Sequence, residues 1–128
     1  MADNVDVIQG IWDSFGKGDF DKAATQFADD AEVVAPDPLP WGGTHIGPDG
    51  FRDFSDLLHG QFKDMKARPL KVLGSDDNHV TVLAHTSGKT VAGKQLEVDV
   101  LWLYQLRDGR VVAAHAFADT ATILEALD

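Results

Sequence analysis

At 128 residues, 44% of them hydrophobic and 25% charged, the chain can fold as one domain (1–128) around a real core, and its composition argues against disorder. Cysteine is absent, which removes disulfides, thiol catalysis and thiolate metal sites and suits a reducing cytoplasm. A formal net charge of −10, from 21 acidic against 11 basic residues, repels phosphate backbones and argues against nucleic-acid binding.

Asp3 or Asn4 caps a first helix, on which Val5, Ile8, Trp12 and Phe15 recur at helical spacing until Gly16-Lys17-Gly18. Asp19 caps a second helix with the apolar face Phe20, Ala23, Ala24, Phe27 and Ala28. A short strand follows at Glu32–Ala35. The run from Pro36 to Gly43 is too rich in proline and glycine for a helix or a central strand. A third helix starts near Pro48 and carries Phe51, Phe54, Leu57, Leu58 and Phe62. After Pro69 the apolar period becomes two, which predicts strands at about Leu70–Ser75, His79–Ser87, Leu96–Arg107 and Arg110–Ala118. Thr120–Leu127 reads as a short last helix. No apolar run approaches the ~20 residues that cross a bilayer. Met1-Ala2-Asp3-Asn4 is acidic where a secretion signal is basic, so a cytoplasmic, non-membrane protein is expected.

Asp108-Gly109 predicts a two-residue hairpin turn. With those residues at the turn, Leu106 pairs with Val111, Tyr104 with Ala113, Trp102 with His115 and Val100 with Phe117. One face of the hairpin then holds Val98, Val100, Trp102, Tyr104, His115, Phe117 and Asp119, an apolar and aromatic wall with a few polar groups, as a ligand pocket needs. The opposite face holds Leu101, Leu103, Ala114 and Ala116. Three helices cover only one face of the sheet, so a homodimer through this second face is expected.

Three stretches resemble the SnoaL-like family of the nuclear transport factor 2-like superfamily. They are Gly18-Asp19-Phe20-Asp21 leading through Phe27-Ala28-Asp29-Asp30-Ala31-Glu32-Val33, then Leu39-Pro40-Trp41-Gly42-Gly43-Thr44-His45-Ile46-Gly47-Pro48-Asp49-Gly50-Phe51, then Leu103-Tyr104-Gln105-Leu106-Arg107-Asp108-Gly109-Arg110-Val111-Val112 continuing to Asp119-Thr120-Ala121. The resemblance implies an α+β fold: a cone-shaped, curled mixed sheet wrapped around three N-terminal helices, with a short C-terminal helix and a pocket between. Relatives include ketosteroid isomerases, polyketide cyclases, epoxide hydrolases and dehydratases, so the fold leaves function open. The chain departs from the ketosteroid isomerases, aligning Ile11 with their tyrosine donor and Trp102 with their protonated aspartate. Asp37-Pro38 resembles the site of their base, although an ungapped alignment puts Ala35 there.

His115 is the first catalytic candidate, since an imidazole on that wall exchanges protons near neutral pH; a half-buried packing histidine is the alternative. Asp37 stands among prolines at the expected pocket mouth, as a base of raised pKa or as a turn aspartate. Tyr104, the single tyrosine, either donates to a carbonyl or belongs to the core. Trp41, Phe54, Leu58, Phe62, Val100, Trp102 and Phe117 are the expected substrate lining. Asp119 either joins them or caps the last helix. No metal spacing, phosphate loop or dinucleotide fingerprint appears, so neither metal nor cofactor is expected. These features point to a general acid/base enzyme acting on a small, largely apolar carbonyl compound, or to a non-catalytic protein that binds a hydrophobic ligand in the same pocket.

Overall fold

The computed structural model describes residues 3–128. Helix α1 (Asn4–Gly16) is capped by Asp3, whose carboxylate accepts from the Asp6 amide at 2.9 Å. Its inward stripe buries Ile8, Ile11 and Trp12, and Gly18, at φ 77°, turns the chain into the next element. Asp19 caps the short α2 (Phe20–Ala24) by accepting from the Lys22 amide.

The second helix is shorter than its apolar period suggests. Phe27 and Ala28 open strand β1 (Phe27–Ala35), because Phe27 gains more by burial against Phe51, with ring centroids 4.5 Å apart, than from one further helical turn. A four-residue strand β2 (Gly43–Ile46) lies within what reads as loop, paired antiparallel to β1 with Val33 opposite His45. Helix α3 (Gly47–His59) has Pro48 in its first turn and ends at Gly60. Phe62, expected on this helix, therefore begins β3 (Phe62–Asp76).

The remaining elements are β4 (His79–Thr90), β5 (Gln95–Arg107), β6 (Arg110–Ala118) and α4 (Thr120–Leu127). They complete a six-stranded mixed sheet in the order β2-β1-β6-β5-β4-β3, parallel at β1–β6 and antiparallel elsewhere. The α+β class and curled sheet agree with the sequence expectation. Pro69 sits inside β3 because that strand is an edge and carries a bulge between Pro69 and Lys71, so no ladder bond requires its missing N–H.

The last hairpin turns at Asp108 (φ 53°) and Gly109 (φ 76°), and Leu106 pairs with Val111 as expected. Beyond that pair the register departs from the simple hairpin. Gln105 lies opposite Ala113, so Val112 is an extra residue on β6, a β-bulge. Every later β6 side chain therefore changes face. Tyr104 pairs with Ala114, Trp102 with Ala116 and Val100 with Ala118, all toward the helices. Leu103 pairs with His115 and Leu101 with Phe117, both on the outer face.

Candidate functional site

The concave face of the sheet, α1, α3 and the Pro36–Gly42 loop enclose an elongated apolar cavity. It measures about 70 Å³ at the centres of water molecules, room for about five of them at ~10–15 Å³ each. The sequence of β6 creates this space. Ala114, Ala116 and Ala118 are its inward residues and all line the cavity, so small side chains stand where Leu or Phe would fill the volume.

Of the expected lining residues, Trp41, Phe54, Leu58, Phe62, Val100 and Trp102 face the cavity, as does Tyr104. Trp102 is the centre of an aromatic cluster. It meets Phe54 edge-on at 5.6 Å, meets Trp12 edge-on at 6.4 Å and stacks on Tyr104 at 5.8 Å.

Four expected site residues do not face it. His115 and Phe117 are carried to the outer face by the Val112 bulge, and Phe117 is 54% exposed there. Asp37 is exposed in its loop. Asp119 caps α4, accepting from the Thr122 amide at 3.2 Å and the Thr122 hydroxyl at 2.7 Å, and these bonds hold its carboxyl below the usual carboxylate pKa. Ala114 and Ala116, expected on a dimer face, are the converse case: both point inward.

Tyr104 is buried, 4% exposed, and its hydroxyl accepts a hydrogen bond from the Trp12 indole N–H at 3.0 Å. Burial pushes its phenol pKa far up, only partly offset by the Trp12 bond, so it stays protonated at any physiological pH. Among the described residues its own O–H has no acceptor. A neutral donor thus faces an apolar space.

Tyr104 is the only ionisable group among the lining residues; no carboxylate, imidazole, amine or guanidinium joins it. The remaining histidines serve elsewhere. His45 packs edge-on against Phe54, and its Nε2–H donates to the Trp41 carbonyl at 3.0 Å, which pins the loop carrying Trp41. His59 Nδ1–H donates to the Ser55 carbonyl. His85 lies on the outer face, its Nδ1 2.9 Å from Asp99 and its Nε2 3.6 Å from Glu97. The Asp99 hydrogen bond raises its pKa, with Glu97 adding to the shift. No group of three or more potential metal ligands occurs among the described residues.

Sequence reasoning did not single out two polar neighbours of the cavity, Trp12 as the partner of Tyr104 and Thr86 in the lining. Trp12 is indistinguishable from core on its helix. Thr86 follows Val80, Val82 and Ala84 in the inward row of β4, and that break in an apolar alternation is a usable signal once β4 is oriented.

The sequence model of the SnoaL-like domain matches residues 8–114. No curated protein matches the sequence. Solved structures match the whole fold. A nuclear transport factor 2-like protein from Burkholderia thailandensis E264 superposes with a TM-score of 0.94 at 18% identity, covering 100% of this chain and 99% of that one. TerC, crystallised with polyporic acid, gives 0.88 at 20% identity and 97% of each chain. A protein with a ketosteroid isomerase-like fold from Catenulispora acidiphila, in complex with trimethylamine, gives 0.80 at 15% identity, covering 94% and 90%. At these identities the likeness is one of fold.

Proposed function

The chain belongs to the SnoaL-like family, and we propose that it takes a small, largely apolar compound into its cavity and holds a hydrogen-bond acceptor of that compound against Tyr104. The observation that carries this reading is the chemistry of the lining, which is apolar apart from the Tyr104 and Thr86 hydroxyls and the Trp12 indole and, among the described residues, holds no acid or base able to transfer a proton near neutral pH. General acid/base catalysis needs its group within hydrogen-bond reach of the substrate. Asp37 and His115 both lie outside the lining, so the geometry favours binding over proton transfer by the protein. If chemistry occurs, the protein contributes a polarising hydrogen bond from Tyr104 and the exclusion of water.

An apolar lining also selects against charge, since an unpaired ion loses its hydration there. Acetophenone and benzoate, similar in shape, test this by titration calorimetry. Acetophenone is expected to bind and benzoate to bind at least ~10-fold more weakly. Equal affinity, or no binding of either, would sink the reading.

A second proposal concerns the outer face of the sheet. Leu103 and Leu73 lie in one cross-strand row and Leu101 and Phe117 in the next, with exposures of 39%, 57%, 42% and 54%. We propose that two copies pair through this patch, which no element among the described residues covers. Phe117→Glu is expected to convert a dimer to a monomer in sedimentation experiments at micromolar concentration. A wild-type protein that already sediments as a monomer rules the pairing out.

A further inference from the structure

The cavity runs lengthwise along β5. Val98, Val100, Trp102 and Tyr104 are its successive inward positions, and all four line the space. Tyr104 marks one end. Near the other, directly across the ladder from Val98, stands Thr86, the only lining residue besides Tyr104 that bears a hydroxyl. Six residue steps lead from Val98 to Tyr104, about 20 Å of contour at ~3.3 Å per step, which curling of the sheet shortens in space.

Thr86 interrupts an apolar environment. The earlier inward residues of β4 are Val80, Val82 and Ala84, all buried, and its ladder neighbours are Ala67 on β3 and Val98 on β5. Its hydroxyl has no hydrogen-bond partner among the described residues. Thr86 is half-buried, so its hydroxyl is open to water in the cavity and free to meet a ligand group. The cavity therefore has a donor near one end, a hydroxyl near the other and apolar walls between.

Resting on the reading of the cavity as a ligand site, we infer that the ligand is a two-ended molecule. It carries an acceptor oxygen for Tyr104, an apolar body, and at its far end a second oxygen that meets Thr86. Tyr104 fixes the buried end. Thr86 then selects for length, because only a body of the right span brings the second oxygen to its hydroxyl.

The test compares 2-alkanones with their ω-hydroxy derivatives, at chain lengths of roughly six to twelve carbons, by titration calorimetry on wild type, Thr86→Val and Thr86→Ser. Parent ketones are expected to tighten smoothly with length. The hydroxy series is expected to show an optimum at one length, tighter by about 3–10-fold than its neighbours predict. Thr86→Val should erase that optimum when each hydroxy ketone is compared with its parent ketone in the same variant, whereas Thr86→Ser should keep it. A hydroxy series with no optimum, or one whose optimum survives Thr86→Val, overturns the two-ended ligand while the cavity reading stands. If neither series binds wild type, the cavity reading falls and takes the two-ended ligand with it.

Discussion

Replacing Ala116 by Leu tests the cavity and the strand register together. Ala116 pairs with Trp102 and faces the cavity. The larger side chain adds three carbons to a space that holds about five waters, so it fits without displacing the walls. At ~0.8 kcal/mol for each buried carbon the gross gain is about 2.4 kcal/mol. Loss of leucine rotamer freedom removes roughly 0.5–1 kcal/mol, which leaves a net stabilisation of about 1.5 kcal/mol. For a chain of this length that corresponds to a rise in Tm of roughly 3–6 °C. The filled cavity should at the same time lose acetophenone affinity by more than ~10-fold, as calorimetry would read. The control is Ala113→Leu, which the bulged register places on the outer face and which should leave acetophenone binding intact. An unbulged hairpin exchanges the two results. Loss of binding in Ala113→Leu with none in Ala116→Leu would refute both the register and the cavity built on it.

Removing the Tyr104 hydroxyl by Tyr104→Phe leaves the buried Trp12 N–H without its acceptor, and denaturant unfolding should show a loss of about 1–2 kcal/mol; in a Trp12→Phe background the same change should cost much less. Gly42 has no room for a side chain, since an added Cβ would press on the Pro36 carbonyl oxygen and lie 2.9 Å from those of Asp37 and Leu39. Gly42→Ala should therefore cost about 1–3 kcal/mol, again by denaturant unfolding, and weaken acetophenone binding as the Trp41 loop shifts. The raised pKa of His85 means that its protonated form favours the folded state, a contribution complete below about 6.5 and lost as pH rises through the folded value. Asp99→Asn should lower that pKa in an NMR titration and shrink this part of the pH dependence of Tm, whereas an unchanged titration would exclude the ion pair.

How far the sequence reaches depends on how strongly each feature is coded locally. Helices α1 and α3 were legible because a capping or first-turn residue stood before a clear apolar stripe: Asp3 before Ile8 and Trp12, Pro48 before Phe51 and Phe54. The Asp108-Gly109 turn was legible for the same reason, since its backbone needs residues that tolerate positive φ. Strand β2 was not, because four residues after a proline run carry too little pattern to outweigh the loop signal. The Val112 bulge was hidden by composition. Both faces of the hairpin are mostly apolar, so a single imidazole is too little to select the register, and nothing in Val111-Val112-Ala113-Ala114 marks an inserted residue. Most of the cavity wall survived the error because Val100, Trp102 and Tyr104 lie on β5, the strand without the extra residue. The β6 candidates, His115 and Phe117, did not.

That single inserted residue governs the chemistry of the site. Without it, the side chains facing Trp102 and Val100 would be His115 and Phe117. An imidazole would enter the cavity, and a phenyl ring would take up much of its volume. With it, the inward residues are Ala114, Ala116 and Ala118, and the space between sheet and helices is both open and free of charge. The larger side chains go to the other surface, where Phe117 joins Leu101 and Leu103 in an exposed apolar patch. Bulges re-aim side chains in this way wherever a strand must present different residues to its two faces. Here the neutral, donor-bearing cavity and the apolar outer face have one common cause. Deleting Val112 should therefore alter ligand binding and self-association together, although neither surface contains that residue.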